Sequence, residues 1–308
     1  MPDVTVAIPT FRRPKGLERL LLAISKLETG ARIRILVADN DAERREGISI
    51  VGRVISSGYR WPAGSFVVER RGIAQTRNAL VERALLGGFD YLAMLDDDEW
   101  PEPCWLNAFL RVATETAADA LHGAVIPDFE RAPGRWAKRC HGFAPLRGTT
   151  GPVAMIHGTA NVLLRRTVFD RLSSPWFDPR FALSGGEDKD FFTRLRIAGA
   201  RFAWADDAVV HAEMPPSRAN PRWAVQRAFR SGNSDMRVFI KHADALGEKL
   251  IESAKIAGAL ALSPPLALLA APVAELRMLP VCKFARAAGK LSAAFGLRYD
   301  EYAVTHGR

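Results

Sequence analysis

Cysteine is scarce in this 308-residue chain: Cys104, Cys140 and Cys282 stand far apart, and no Cys-x-x-Cys pair occurs. An odd number at such spacing argues against a disulfide framework and a cysteine-based zinc site, and it predicts a reducing compartment. The sequence also lacks a glycine-rich phosphate loop, a Gly-x-Ser-x-Gly elbow and zinc-ligand spacing. Those absences remove the usual nucleotidase, esterase and metalloprotease readings. No basic stretch followed by a signal-type apolar core opens the chain, so a cytoplasmic protein is expected.

What is present is a globular composition, 48% hydrophobic and 25% charged, with a net charge of +9. Length alone allows one large domain or two modest ones. The charge is unevenly spread. Residues 1–214 carry 29 basic and 27 acidic side chains, whereas residues 215–241 carry 6 against 1 and residues 276–308 carry 6 against 2. A uniformly basic nucleic-acid binder would not show this distribution, so no nucleic-acid partner is expected. A near-neutral body with basic attachments facing phosphate or anionic lipid would.

The first two-thirds alternate strand and helix. Val4–Ile8 is a β-branched run closed by Pro9, and Leu17, Leu20, Leu21, Ile24 and Leu27 follow helical spacing behind Pro14. Residues 33–38 (IRILVA) form a second apolar strand ending in Asp39-Asn40-Asp41. A helix opens at Gly72 and closes at Gly87-Gly88. A third strand, Tyr91–Leu95, ends in Asp96-Asp97-Asp98-Glu99. Apolar strands separated by helices predict an α/β fold with a mostly parallel central sheet, whose ligands bind beyond the carboxyl ends of the strands. Pro9, Thr10, Asp39 and the Asp96–Asp98 cluster all fall at that edge.

Three consecutive carboxylates in a partly buried cleft need a compensating cation. Hard oxygen ligands suit Mg²⁺ or Mn²⁺, which commonly bridge a carboxylate to substrate phosphates, and the plainer alternative is a solvated acidic turn. A second motif, Ser184-Gly185-Gly186-Glu187-Asp188, releases the chain at two glycines and sets carboxylates in the first turn of a helix. Simple capping would explain it, as would a carboxylate placed to accept a proton from a hydroxyl on a closely approaching substrate.

Six segments in register resemble family 2 glycosyltransferases, inverting enzymes of the GT-A nucleotide-sugar fold: VAIPTFRRP at 6–14, VADND at 37–41, RGIAQTRNALVERA at 71–84, YLAMLDDDEWPEP at 91–103, GTANVLLRR at 158–166 and GGEDKDFFTRLRIAG at 185–199. The bacterial exopolysaccharide enzymes that extend lipid-linked oligosaccharides are the nearest likeness. The resemblance implies that Pro9 and Thr10 line the base and ribose pocket, with Asp39 on the uracil or ribose and Arg77 near the nucleotide. It places Asp96 and Asp97 on the donor side and gives the divalent cation to Asp98; His211 resembles the further metal ligand of some enzymes of this fold, the alternative being a structural strand-end histidine. Asp188 would be the general base, and Glu187 would position the acceptor. The implied partners are a nucleotide-sugar donor, UDP-linked first, and a lipid-linked glycan acceptor.

Processive members of the family carry Gln-x-x-Arg-Trp, whereas Ala219-Asn220-Pro221-Arg222-Trp223 puts alanine at the glutamine. That departure favours addition of a single hexose. Arg218, Arg227 and Arg230 are candidates to cover the diphosphate after loop closure, or else form a solvated basic face. From Ile256 to Ala274 no residue is charged, but Pro264, Pro265 and Pro272 interrupt the stretch. A bent hairpin in one leaflet is the expectation, with Arg277, Lys283, Arg286 and Lys290 on anionic headgroups of the cytoplasmic membrane face. The alternative is a pair of helices packed on the body. The expected organisation is a catalytic domain at 1–240 and a helical extension at 241–308. Two competing functions remain at this level. A sugar-1-phosphate nucleotidyltransferase would need a glycine-rich N-terminal loop, which Ile8–Arg12 does not supply. A non-catalytic basic membrane module would ignore UDP.

Overall fold

The structure is a computed structural model and describes residues 1–299. The end of the expected extension, residues 300–308, lies outside that range. The N-terminal half alternates strand and helix: β1 (Asp3–Thr10), α1 (Pro14–Ser25), β2 (Arg32–Asp39), α2 (Glu46–Ser56), β3 (Ala63–Val67), α3 (Ile73–Gly87) and β4 (Tyr91–Met94). There follow β5 (Glu99–Pro101), α4 (Trp105–Thr116), β6 (Ala120–Phe129), β7 (Gly151–Val153), β8 (Val162–Arg165), α5 (Glu187–Ile197) and β9 (Phe202–Met214). Three C-terminal helices close the chain: α6 (Pro221–His242), α7 (Leu246–Ala270) and α8 (Met278–Ala294).

The strands form one sheet in the order β3-β2-β1-β4-β8-β6-β9-β5, with β7 beside β9. From β3 to β4 every pairing is parallel, as the apolar strand-helix alternation predicts. Beyond β4 the sheet becomes mixed: β8 runs antiparallel to both neighbours, β5 and β7 run antiparallel to β9, and only β6 with β9 is parallel. The antiparallel strands are three or four residues long, too short to show a period in sequence.

The sheet is covered on both faces. On one side Leu17, Leu20, Leu21 and Ile24 of α1 pack with Trp105 and Phe109 of α4 against β1 and β2. On the other, Leu80, Val81 and Ala84 of α3 join Phe191, Phe192 and Leu195 of α5. Burying both faces leaves the strand ends as the open edge, where the loops after β1, β2 and β4 meet.

The C-terminal helices do not form a detached anchor. α6 and α8 cross at backbone contact: a Cβ on Gly232 would stand 2.0 Å from the Arg286 carbonyl oxygen, and one on Gly289 would stand 1.9 Å from that of Phe229. Buried Asn233 donates across the crossing to Ser292 Oγ and to the Leu297 carbonyl, each at 2.9 Å. The expected break at Pro264 and Pro265 is absent. Both lie inside α7, which continues to Ala270, and the chain turns only at residues 271–277. Much of α7 is exposed there, so water can solvate the carbonyls that two prolines leave without donors.

Candidate active site

The turn after β4 carries the acidic cluster, and each of its side chains has a distinct environment. Asp97 is buried. Its Oδ2 accepts the Thr10 hydroxyl at 2.8 Å and the Phe11 N–H at 3.2 Å, and its Oδ1 accepts Arg13 at 3.0 Å. Burial raises its carboxyl to about 6 against the pull of Arg13. Asp98 is more open, and its Oδ2 accepts Arg13 at 2.7 Å and Arg218 at 3.2 Å. Asp96 pairs with Arg77 at 3.1 Å. Its own N–H donates to Glu99 Oε2 at 3.0 Å, and burial holds Glu99 well above its usual range.

Arg77, on the buried side of α3, spans the cleft. One guanidinium nitrogen meets Asp96 and another meets Glu187 in the first turn of α5. Glu187 is buried, and its second oxygen has no hydrogen-bond partner. Burial, followed by the adjacent Asp188, pushes its carboxyl upward, and Arg77 opposes the rise. Asp188 is half-buried and accepts the Lys189 N–H at 2.6 Å. Its Oδ2 lies 3.7 Å from where a Cβ on Gly158 would stand, so the 158 loop approaches the carboxylate as bare backbone. The acidic turn and the Asp188 turn thus share one cleft, fastened by a single arginine.

The profile of "Glycosyl transferase family 2" matches residues 5–173, more than half of the chain. The chain belongs to that family. A second profile, "Glycosyl transferase family group 2", matches residues 91–279. The succinoglycan biosynthesis protein ExoM of Rhizobium meliloti (strain 1021) is 33% identical over 258 residues, which are 80% of this chain and 79% of that protein. Among solved structures, the mannosyltransferase PcManGT from Pyrobaculum calidifontis, in complex with GDP-Man and Mn²⁺, superposes with a TM-score of 0.63 at 20% identity. The match covers 96% of this chain and 90% of that one. S. aureus TarS 1–349 in complex with UDP-GlcNAc gives 0.53 at 14% identity, over 96% and 92%. The fold is therefore GT-A, and the protein is a glycosyltransferase.

Set in this glycosyltransferase fold, the expected site residues fall into two groups. Thr10, Arg77, Asp96, Asp97, Asp98, Glu187 and Asp188 gather around the cleft, with Pro9 next to Thr10 in β1 and Asp39 paired with Thr10 across to β2. Within it, the Thr10 hydroxyl and both Asp97 oxygens are taken up by protein groups, so the pair acts here as an anchor for Arg13. Asp39 is nearly wholly buried at the end of β2. Its Oδ2 accepts the Gly47 and Ile48 N–H groups at 2.8 and 3.3 Å, and its Oδ1 accepts that of Asp41 at 3.0 Å. It caps α2 and tightens the turn, and burial raises its carboxyl. His211 lies on β9 opposite Trp100 of β5, on the strand whose Glu213 N–H donates to the Asp98 carbonyl. Its Nε2 lies 3.0 Å from Glu102 and its ring stacks on Trp100. Among the described residues no group of three or more acidic, histidine or cysteine side chains is placed to hold a metal ion.

Gly186 packs on the C-terminal helices. Its φ of +100° favours glycine, and a Cβ there would also stand 3.0 Å from Cβ of Ser234 on α6. Sequence reasoning assigned no role to Arg13, Arg12 or Asn40. Arg12 pairs with Asp41 at 2.7 Å, and Asn40 ties the Val68 and Arg70 carbonyls and the Gly72 N–H to the cleft wall. Adjacent arginines directly after a strand that ends at the binding edge were the available signal.

Proposed function

We propose that this glycosyltransferase moves one hexose, with inversion, from a nucleoside diphosphate sugar to a lipid-linked glycan during exopolysaccharide synthesis at the cytoplasmic membrane face. UDP is the first donor base to test. The observation that carries the reading is the Arg77 bridge, which fastens the acidic turn to the turn bearing Asp188. A donor diphosphate at Asp98 and an acceptor hydroxyl at Asp188 would then lie on opposite sides of one anomeric carbon.

The reaction is a single displacement. The acceptor oxygen forms a bond to the anomeric carbon as the bond from that carbon to the β-phosphate oxygen breaks. The hydroxyl proton passes to Asp188, and the nucleoside diphosphate leaves with the bonding pair. Arg13 and Arg218, both at Asp98, sit where charge gathers on the departing diphosphate, and such groups act mainly in the transition state. The site also fits a divalent cation. Its donors are hard carboxylate oxygens, and the ion would take the place of Arg13 or Arg218 at Asp98 Oδ2. Asp98, with Asp96 beside it, would hold Mg²⁺ or Mn²⁺ together with donor phosphates, an arrangement that needs only one or two protein carboxylates. When bound, that ion would offset charge on the diphosphate. ExoM supports the exopolysaccharide assignment, and the nucleotide-sugar complexes of PcManGT and TarS support the donor class.

The membrane part of the reading rests on α7. It is long and apolar enough to cross a bilayer, yet leaves Leu250, Ile251, Leu262, Leu266, Leu268 and Leu269 about half to four-fifths exposed. An exposed apolar surface of this extent suits contact with the apolar part of a bilayer. Of the basic residues expected on headgroups, Arg286 and Lys290 are instead committed to Asp235 and Glu252, while Arg277 and Lys283 stay exposed.

Calorimetric titration of UDP and of GDP, each with and without Mn²⁺, tests the donor site on the wild type and on Asp98→Ala. Metal-dependent binding that disappears in the variant is the expected result. Failure of both nucleotides to bind under every condition overturns the reading.

A further inference from the structure

Outside the cleft, three carboxylates fasten α5 and the loop before it to their surroundings. Asp190 is fully buried and takes Arg194, Lys241 and His242. Asp178 takes Arg180 and Lys241. Asp235, on α6, differs from these because its two oxygens reach different elements. Oδ1 holds Lys189 of α5 at 2.5 Å, and Oδ2 holds Arg286 of α8 at 2.5 and 3.0 Å. Lys189 follows Asp188 directly, and its N–H is the donor to the Asp188 carboxylate.

We infer that Asp235 is a positioning residue for the transfer step, the carboxylate through which α8 holds the first turn of α5, and with it Asp188, against the acceptor side of the cleft. This rests on the role proposed above for Asp188.

Three features support a positioning role over a surface ion pair. Asp235 is largely buried, with 13% of its side chain exposed. Although burial raises its carboxyl, Lys189 and Arg286 draw it below the usual carboxylate range, so it is charged whenever the enzyme works. Its two supports are also stiff. α6 and α8 meet backbone to backbone at Gly232 and Gly289, so Arg286 is delivered from a scaffold that cannot slide. On the α5 side, Ser234 sits against Gly186, and its hydroxyl donates to the Ser184 carbonyl at 3.3 Å. The loop leading into the Asp188 turn is therefore pressed on α6 at the same place. The C-terminal helices become part of the catalytic unit, and α7 joins them where Lys290 of α8 meets Glu252 at 2.5 Å.

The test compares the full-length chain with Asp235→Asn, which keeps the shape and removes the charge, Asp235→Glu, and Arg286→Gln on the far side of the link. Hydrogen exchange is read over residues 184–192, and rates are read as UDP release from a UDP-hexose with detergent-solubilised lipid-linked glycan. In Asp235→Asn, exchange over 184–192 should rise about tenfold with β1–β4 unchanged, and kcat should fall tenfold or more. The donor KM and the affinity for UDP with Mn²⁺ should stay within about twofold of wild type, as positioning on the acceptor side requires. Asp235→Glu should recover part of kcat, and Arg286→Gln should shift exchange over 184–192 in the same direction. Wild-type exchange and kcat in folded Asp235→Asn and Arg286→Gln would sink the inference. So would exchange that rises over the whole chain with kcat and UDP affinity falling together, because that is a plain loss of stability. If the wild type neither binds UDP nor turns over, the functional reading fails, and the exchange data still decide whether Asp235 holds α5.

Discussion

Arg77 touches Asp96 and Glu187 at once, so the loop after β4 and the first turn of α5 cannot move independently. The guanidinium is almost fully buried, and so is Glu187. Removing one partner of such a pair leaves a charge without compensation and costs about 3–5 kcal/mol. Arg77→Met should therefore lower the denaturation midpoint strongly and abolish transfer. Adding Glu187→Gln to it should restore much of the lost stability and none of the activity. Urea denaturation of the two variants beside wild type checks both halves, and a double variant no more stable than the single one would contradict the assignment.

The diphosphate side can be tested without touching Asp98. Arg13 is held in place by buried Asp97 and contributes charge at the cleft, so Arg13→Ala should weaken UDP–Mn²⁺ binding about tenfold or more, a loss of about 1.4 kcal/mol or above. Asp97→Asn should weaken it less, because Arg13 loses its anchor and keeps its charge. Equal affinity for all three proteins in calorimetry would remove Arg13 from the donor site.

His122 provides a pH signature. It is buried, stacked on Trp204 with ring centroids 5.0 Å apart, and its Nδ1 lies 2.7 Å from the Gly123 carbonyl. Burial lowers its pKa to about 4, from 6.5 for the free side chain. Between those values the unfolded chain binds more protons than the folded one, so stability rises with pH across the window. The contribution is complete above pH 6.5 and lost as pH falls toward 4, about 3 kcal/mol in all. Denaturant melts at pH 7, 5.5 and 4.5 should show wild type losing more stability than His122→Gln over that range. Parallel losses would show that His122 is not the group responsible.

Much of the fold and part of the site can be read in the sequence, for physical reasons that vary by element. The Leu17–Ile24 stripe and the apolar runs of β1, β2 and β4 carry their own period, and a carboxylate cluster ending such a strand must lie at the binding edge. β8 and β5 have too few residues for a period. Pairings remote along the chain leave no local trace: Arg13 meets Asp97 across 84 residues, and Asp235 meets Lys189 across 46. The prolines of α7 mark a break by propensity, yet the helix runs through them on an exposed stretch where water can solvate the freed carbonyls. Gly185-Gly186 is visible as a special turn, whereas the close approach of Ser234 to Gly186 depends on a helix nearly fifty residues later.

The α6–α8 crossing predicts an inverted propensity effect. Glycine to alanine in a helix interior ordinarily stabilises by about 0.5–1 kcal/mol. At Gly232 the new Cβ would meet the Arg286 carbonyl, and at Gly289 that of Phe229, both backbone atoms that cannot rotate away. Each substitution should instead destabilise by about 1–3 kcal/mol. Gly258, on α7 with nothing within 4 Å of its added Cβ, is the control and should gain stability on the same change. Thermal melts of the three single variants decide the matter, and a stabilised Gly232→Ala would mean that the helices do not pack this closely.

Membrane docking through α7 separates apolar insertion from charge attraction. Leu262, Leu266 and Leu269 lie on the exposed stretch, and burying each in an acyl interface is worth about 1.5–3 kcal/mol. The full-length protein should sediment with vesicles containing anionic phosphatidylglycerol. Replacing the three leucines by glutamate should leave it in the supernatant while UDP–Mn²⁺ affinity stays at the wild-type value, because none of them approaches the cleft. Neutralising exposed Arg277 and Lys283 should reduce binding only at low salt, since an electrostatic contribution is screened within about 10 Å at 0.1 M ionic strength. If the triple variant sediments as fully as wild type, α7 is not the membrane contact. If wild type itself remains in the supernatant at low salt, a lipid-linked acceptor must reach Asp188 by a route that does not involve this helix.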